Sequence, residues 1–232
     1  MTRMFSGARA ALTLISLLAA GAASAAGTPA TLSLDLGTTG VGAHVGMPLG
    51  QQLGVRVGAG FLSHKFDGST STIDYNIDAK LRSADALLDW YPAAGSGFRL
   101  STGVVYDANQ FDVTGKPSAG RYLINGVSYA ATDVGTLTGA VDYNKFAPYL
   151  GIGFGTAPAA TGASGWGFAA DLGGYYQGKG SSRLDSVGCK AAAPICQAIA
   201  RDVAVERLNL ADQVSDVPKI YPVLRISATY RF

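Results

Sequence analysis

The stretch YPVLRISATYRF, residues Tyr221 to Phe232, alternates between two kinds of side chain. One face carries Leu224, Ile226, Ala228, Tyr230 and Phe232, and the other carries Val223, Arg225, Ser227, Thr229 and Arg231. Because successive side chains of a β-strand point to opposite faces, this strand has one apolar and one charged face. A transmembrane barrel supplies both matching environments, with lipid outside and a polar lumen inside. The stretch therefore predicts a membrane-spanning β-strand.

The aromatic residues Tyr230 and Phe232 indicate the membrane into which such a strand is inserted. A terminal strand of this kind resembles the sorting signal by which the barrel-assembly machinery of Gram-negative bacteria recognises its substrates. We therefore expect outer-membrane lipid and that machinery as partners. The expected location is the cell outer membrane of a Gram-negative bacterium.

The first residues of the sequence have the pattern of an export signal. Arg3 and Arg9 precede an apolar run at 10–20, and a small-x-small pattern follows at 23–25. The run is shorter than the ~20 residues that a spanning helix needs, which disfavours a membrane anchor. We expect cleavage after Ala25 or Ala26, which divides the chain into a signal peptide at 1–26 and a β-barrel domain at 27–232.

Composition agrees with this assignment. The sequence contains 31 glycines and 11 tyrosines, which favour a tightly curved all-β structure over helices. Removal of the signal takes away two arginines and no acid, so the formal net charge of +2 becomes 0. A neutral chain has no bias toward nucleic acid, and its length indicates one domain.

Alternating segments predict eight antiparallel strands, at 30–37, 40–47, 53–65, 74–90, 98–109, 137–155, 165–177 and 220–232. The connections at 48–52, 91–97 and 156–164 are short, and those at 66–73, 110–136 and 178–219 are long. Outer-membrane barrels have short periplasmic turns, long extracellular loops and an even number of strands. The predicted fold class is therefore all-β, an eight-stranded antiparallel transmembrane barrel. Residues 37–40 form either a hairpin or a bulge within one strand, since a bulge also shifts the apolar parity.

Two long loops have sequence patterns of their own. Asn125-Gly126, between apolar and aromatic residues at 121–130, predicts a small hairpin above the membrane. Apolar residues at helical spacing in 195–214 predict a short amphipathic helix, which either packs on the barrel rim or binds a partner. Cys189 and Cys196 are the only cysteines of the sequence, and in an exported protein we expect a disulfide between them.

The strand positions that face away from lipid contain acids and bases in equal number. The predicted lumen residues are Asp35, Arg56, Asp85, Asp89, Arg99, Asp107, Lys145, Asp171, Arg225 and Arg231. An eight-stranded barrel holds only its own side chains or one small ligand. Two interpretations follow: a plug of buried ion pairs that closes the barrel, or a narrow path in which acid and base sites pass a zwitterionic solute along.

The histidines, His44 and His64, are interpreted as lumen or rim residues rather than catalytic bases, because a base needs a nucleophile and an orienting group within reach. Two cysteines without a nearby histidine make a poor zinc site. We expect no cofactor, no metal and no catalytic residue. An enzyme that modifies membrane lipid is an alternative, and it requires a nucleophile beside a histidine on the lipid-facing rim.

Turn and interface motifs along the sequence resemble one family of outer-membrane barrels. They are Gly37-Thr38-Thr39-Gly40, Leu88-Asp89-Trp90-Tyr91-Pro92, Gly97-Phe98-Arg99-Leu100, Ile124-Asn125-Gly126, Ala147-Pro148-Tyr149-Leu150-Gly151-Ile152-Gly153, Gly165-Trp166-Gly167-Phe168, Tyr221-Pro222-Val223 and Tyr230-Arg231-Phe232. In this order they resemble the CarO type, carbapenem-associated porins linked to ornithine uptake. The resemblance implies an eight-stranded barrel and passage of small basic amino acids.

Three functions are therefore considered. The first is a narrow channel or porin for small basic or zwitterionic solutes such as amino acids, with ornithine as the type. The second is a closed structural or surface-interaction barrel without transport. The third is the lipid-modifying enzyme.

Overall fold

In the computed structural model, the described residues are 30–69, 74–93, 95–155, 164–215 and 218–232. The predicted signal peptide lies outside these ranges, as does most of the predicted short turn at 156–164. The described part of the chain is mostly β-structure with two helices. No helix within it combines the length and the apolar character that are needed to cross a membrane.

The elements in chain order are β1 (Thr31–Gly37), β2 (Gly40–Pro48), β3 (Leu53–Ser69), β4 (Asp74–Trp90), β5 (Phe98–Asp107), β6 (Gln110–Lys116), β7 (Arg121–Ile124), β8 (Val127–Ala130), α1 (Ala131–Val134), β9 (Thr136–Asp142), β10 (Phe146–Gly155), β11 (Gly165–Tyr176), β12 (Ser181–Val187), α2 (Ala193–Ser215) and β13 (Ile220–Arg231).

Eight of these strands close into a ring with antiparallel neighbours. Around the ring the order is β1, β2, β3, β4, β5, β10, β11 and β13, and β13 pairs again with β1. Gly37 pairs with Gly40, so residues 37–40 form a hairpin rather than a bulge. Gly40 has a φ of 96°, a conformation that glycine adopts without steric cost.

One prediction about strand continuity is wrong, because the predicted strand at 137–155 is divided into β9 and β10. The predicted strand at 98–109 is present as β5 and ends at Asp107, and β6 follows it within the predicted loop at 110–136. At both breaks the chain changes its pairing partners. The backbone N–H of Asp107 donates to the carbonyl oxygen of Lys145 at 2.7 Å, and that of Asn144 donates to the carbonyl oxygen of Gln177 at 3.1 Å.

The ring is taller on one side because β3 and β4 contain 17 residues each. A strand needs only roughly 9–11 residues to cross a membrane. The far halves of β3 and β4 join three strands outside the ring, in the order β3, β4, β6, β9 and β12. The predicted loops at 110–136 and 178–219 therefore contain sheet. We call β6 to β9, β12, α1 and α2 together the cap.

The cap has a hydrophobic core of its own. Ile124, Val134 and Leu137 are fully buried, and the remaining buried members are Tyr75, Tyr122, Leu184, Ile199 and Val203. The predicted hairpin is present as β7 and β8, with φ values of 50° at Asn125 and 76° at Gly126 that suit a type I′ turn. The predicted helix is present as α2, and its 23 residues make it longer than a short loop helix.

Hydrogen bonds connect helix α2 to the tip of this hairpin. The side-chain amide of Asn125 donates to Asp202 at 3.1 Å, and its backbone N–H donates to Glu206 at 3.3 Å. The Tyr129 hydroxyl also donates to Asp202, and this bond lowers the pKa of the Asp202 carboxyl. A disulfide between Cys189 and Cys196 joins the segment before α2 to its first turn. The cap is therefore a folded unit rather than a set of separate loops.

The outward face of the ring is apolar. Leu150 is 71% exposed, Phe168 is 78% exposed, and Leu36, Trp166, Leu224 and Ile226 are also exposed. A surface that presents large apolar side chains in this number is typical of a site of contact with lipid or another protein. The side chains of opposite parity on the same strands point into the ring.

Candidate functional site

The interior of the ring contains most of the predicted lumen residues. Asp35, Asp85, Asp89, Arg99, Asp107, Asp171 and Arg225 are buried, and Arg56 is largely buried. Arg231 lies at one end, where it is half-buried. Lys145 is exposed, so its prediction as a lumen residue is wrong. The alternation from which it was assigned is interrupted at 143–145, between β9 and β10.

A histidine lies at the centre of one interior cluster, the His44 cluster. Its Nδ1 lies 2.5 Å from a carboxylate oxygen of Asp35, and its Nε2 lies 2.9 Å from one of Asp85. A guanidinium N–H of Arg225 donates to Asp85 at 3.0 Å. A neutral imidazole carries one N–H and can donate to only one carboxylate, whereas an imidazolium donates to both. With His44 protonated, this cluster of two acids and two bases has no net charge.

A second cluster, the Arg56 cluster, contains two arginines and two aspartates. Nε of Arg56 lies 2.5 Å from Asp89, and a terminal nitrogen lies 3.2 Å from Asp171. Arg99 donates to Asp171 at 2.7 Å. The Ser101 hydroxyl donates to Asp89 at 2.5 Å. This cluster is also neutral, and each arginine lies against the acid of another strand.

Glycines on neighbouring strands make room for these large side chains. A Cβ added at Gly58 would lie 2.2 Å from the His44 ring. One added at Gly153 would lie 2.5 Å from a carboxylate oxygen of Asp171 and 2.8 Å from Nε of Arg99. Both distances are far below a van der Waals contact, so the two clusters depend on glycine at these positions.

Further along the interior the side chains become apolar. Leu87, Val105, Ala147, Tyr149, Tyr175 and Val223 form a buried layer. The Tyr175 ring stacks on Tyr221 with 4.9 Å between ring centroids, and the Tyr175 hydroxyl accepts a hydrogen bond from Asn109 at 3.1 Å. Asp107 accepts one from the backbone N–H of Asn109 at 2.8 Å. Charge pairs and this layer fill much of the interior.

A pocket opens into the ring at the end with the turns 49–52 and 91–97, which we call the short-turn end. Its volume is about 50 Å³. The charged and aromatic side chains around it are Arg56, Asp89, Tyr91, Arg99 and Arg231, and the hydroxyl groups of Thr31, Ser33 and Thr229 also line it. This volume holds a few water molecules or one small polar group.

The two residues predicted as a sorting signal lie at the same end. Phe232 is exposed and Tyr230 is half-buried. The Tyr230 ring packs edge-on against Trp166 and against Phe232, with 5.1 Å between ring centroids in each pair. Aromatic residues at strand ends of this kind form the interfacial girdles of membrane barrels.

His44 was predicted as a lumen or rim residue, but its contacts with Asp35 and Asp85 were not predicted from the sequence. Its sequence neighbours are small and apolar, but the hairpin register pairs it with Ser33, two residues before Asp35, so that the side chains of His44 and Asp35 lie on the same face. The turn at residues 37–40 sets that register, and it was the signal from which the contact between His44 and Asp35 could have been predicted. The contact with Asp85 is between strands that are not neighbours, and no local pattern reports it. His64, in contrast, is exposed and stacks on Phe66.

No protein-family model and no curated protein matches the sequence. Among the solved structures that match the fold are two from one organism. The crystal structure of CarO2 from Acinetobacter baumannii aligns with a TM-score of 0.55 and 20% identity, over 88% of this chain and 98% of that one. The crystal structure of CarO from the same organism aligns with a TM-score of 0.53 and 19% identity, over 87% and 97%. The chain therefore has a CarO-type fold, as the sequence motifs predicted.

Proposed function

We propose, from the CarO-type fold, that this protein is an outer-membrane β-barrel that holds the cap at the cell surface and is closed at rest. The observation that carries the proposal is the inverted polarity of the ring, with apolar side chains outside and ion pairs inside. Lipid around the ring accounts for that arrangement, because a soluble protein buries most of its large apolar side chains.

The filled interior supports closure. The His44 and Arg56 clusters and the apolar layer lie within one ring of eight strands, a ring size that leaves little space beyond its own side chains. The pocket at the short-turn end has a volume of about 50 Å³, which is too small for an amino acid. These observations favour the closed barrel over the permanently open channel.

A second candidate function is a gated path for small zwitterionic or basic amino acids such as ornithine. It is favoured by the pairing of acids with bases in two separate clusters. An ammonium group can replace a guanidinium beside an aspartate, and a carboxylate can replace an aspartate beside an arginine. Passage then requires the ion pairs to open one after another.

Epitope insertion tests the location and orientation. An epitope is inserted after Gly126, at the tip of the cap hairpin, and in a matched strain after Gly50, in a turn at the short-turn end. On intact cells of a Gram-negative host, antibody labels the first strain and not the second, and the protein fractionates with the outer membrane. Recovery in the inner membrane, or labelling of the Gly50 insertion alone, contradicts the proposal.

Liposome flux separates the two functions. The closed barrel admits glycine and ornithine no faster than empty vesicles, and single-channel recordings show no steady conductance. The gated path predicts solute entry that is lost when Asp85, Asp89 and Asp107 are all changed to Asn. Entry that survives this triple change contradicts the gated path, and a steady conductance in the unchanged protein contradicts closure.

The predicted signal peptide has a separate test. N-terminal analysis of the protein from the outer membrane detects a new terminus after Ala25 or Ala26. A protein that retains Arg3 and Arg9 contradicts this part of the proposal.

A further inference from the structure

We propose that strand β12 is a docking edge, to which a second copy of this chain adds its own β12 in antiparallel orientation. The strand lies at the end of the sheet that β6 and β9 extend from β4 into the cap. One of its edges pairs with β9, and no strand pairs with the other edge in the part of the chain that the structure describes. An open edge presents backbone N–H and C=O groups that a further strand can bind.

Helix α2 packs against β12 but leaves space beside it. Ile199 and Val203 of the helix belong to the same buried cluster as Leu184 of the strand. A groove with a volume of about 280 Å³ lies between the two elements, and residues 184–186 line it together with one side of the helix. Because consecutive strand residues point to opposite faces, a groove lined by three of them runs along the strand edge. An added strand therefore has room there.

The charges of β12 identify the occupant. Arg183 and Asp185 are exposed on one face of the strand, with Leu184 between them in sequence. In an antiparallel pair centred on Leu184, Arg183 of each copy lies directly opposite Asp185 of the other. Opposite side chains in such a pair have Cβ atoms about 4.5–5.5 Å apart, and opposite charges at this separation stabilise the pairing. The strand is therefore complementary to itself.

The contacts within one chain are compatible with this pairing. Asp185 makes no ion pair with any of the residues that the structure describes, so the second copy supplies its first cationic partner. Arg183 binds Asp142 through one terminal nitrogen of its guanidinium. A guanidinium has five N–H donors, and those that remain can bind a second carboxylate. Pairing thus adds a contact to each residue without breaking the existing one.

The same charges oppose the neighbouring registers. A shift by two residues places Arg183 opposite Arg183 of the second copy, or Asp185 opposite Asp185, and like charges directly opposite each other are destabilising. A shift by one residue brings the exposed face of one copy to the side of the buried face of the other. Charges on an edge strand normally prevent unspecific pairing, and here their order leaves one register favourable.

This register defines a closed dimer. It places Leu184 opposite Leu184 and Ser182 opposite Ser186, so every pair occurs twice about a two-fold axis. Such an isologous interface uses the same surface on both copies and is complete with two of them. The strand has only seven residues, and an interface of that size belongs to the weak, transient class. We therefore expect a dimer that depends on protein concentration.

Sedimentation of the folded protein in density-matched detergent micelles, over a range of protein concentrations, tests this dimer. Arg183→Asp and Asp185→Arg each place like charges opposite each other, and we expect each change to weaken association at least tenfold. The protein with both changes has opposite charges in both pairs again. So does an equimolar mixture of the two singly changed proteins. Both are expected to associate as strongly as the unchanged protein.

Lys65→Asp is the matched control, because it reverses the charge of an exposed residue that is ion-paired with Asp78 on the neighbouring strand. It is expected to leave the association unchanged. Heat-dependent gel migration checks that each variant is folded, and if the doubly changed protein does not fold, the mixture decides alone.

Every other outcome overturns the proposal. A monomer at all concentrations does so directly, and so does a dimer that neither single change weakens, since its contact then lies elsewhere. A mixture that stays monomeric shows that the two charges do not meet. A synthetic peptide SSRLDSV that binds the protein while no dimer forms shows an open edge with a different occupant. Because sedimentation measures neither flux nor location, its result is independent of the proposed function.

Discussion

Strand β4 belongs to the ring and extends beyond it to pair with the cap, and its two faces exchange roles between these two parts. In the ring, Asp85 and Asp89 point inward and Trp90 is exposed on the outside. Where β4 pairs with the cap, Tyr75 and Ala79 are buried on the inward face, while Lys80 is paired with Asp112 on the other. The inward parity is the same along the whole strand. The difference shows that side-chain polarity follows the surrounding solvent and not the backbone geometry.

The largest effect is expected where a charge of the ring loses its partner. Asp171→Asn leaves Arg56 and Arg99 with one acid, Asp89, between them. Breaking a buried ion pair costs about 3–5 kcal/mol, and we expect a loss of that size in the free energy of unfolding. Urea titration followed by the fluorescence of Trp90 and Trp166 measures it.

The control for this change is Asp185→Asn, at an exposed position of the cap. It is expected to alter stability by less than about 0.5 kcal/mol. Equal losses in both variants would contradict the assignment of the ring interior as the region that depends on charge pairing.

The next effect concerns the outward face of the ring. Leu150 is exposed there, and Leu150→Lys places a charge in lipid if the ring spans the membrane. A lysine at the bilayer midplane costs about 2–4 kcal/mol. Unfolding from lipid vesicles measures this cost. Leu123→Lys, on an exposed position of the cap hairpin, is the matched change and is expected to be nearly neutral.

A smaller effect is expected from the disulfide, which acts on the cap alone. Changing Cys189 and Cys196 to Ala opens a short covalent loop, and loop-closure entropy predicts a loss of about 2 kcal/mol. Limited proteolysis detects faster cleavage near α2. The ring keeps its heat-dependent gel migration, and a loss of this migration would show that ring and cap unfold together.

The smallest effect is a pH dependence of the contact between α2 and the hairpin. The hydrogen bond from Tyr129 lowers the pKa of Asp202 in the folded protein. A group with a lowered pKa stabilises the fold above its unfolded pKa, about 3.9, and this contribution is lost as the pH falls through the folded value. The protection of β7 and β8 from hydrogen exchange, measured relative to the intrinsic exchange rate, therefore falls below about pH 4. Asp202→Asn removes this pH dependence of the protection, and an unchanged profile in that variant would assign it to another group.

The ring was predictable from the sequence because apolar and polar residues alternate with a period of two along its strands. The alternation along β13 and β10 identified outward residues such as Leu224 and Leu150, and parity identified the buried acids and arginines. The pairing of Arg56 with Asp171 was not predictable, since these residues lie on β3 and β11, which are not neighbours in the ring. One sequence contains no signal of which side chains meet across a lumen.

The sheet of the cap was missed for a different reason. Strand β6 alternates between polar residues such as Asp112 and apolar residues such as Val113, but it is short and lies in a segment with several turn residues. Its apolar face is buried only because β4 continues beyond the ring and the hairpin covers it. Local sequence showed the hairpin through Asn125-Gly126, and it did not show the surface on which that hairpin packs.

In the proposed membrane location, the exchange of polarity along β4 also determines how deep the ring lies in the bilayer. Trp90 follows Arg82, which is exposed on the outward face, by eight positions, about 26 Å along a strand that rises ~3.3 Å per residue. In a strand tilted by roughly 40° this corresponds to a height of about 20 Å, close to the apolar band of a membrane barrel. A vertical displacement of the ring would move Arg82 into lipid or Trp90 into water. If the ring spans the membrane as proposed, the polarity of this strand fixes the depth of the ring and therefore the height of the cap above the bilayer.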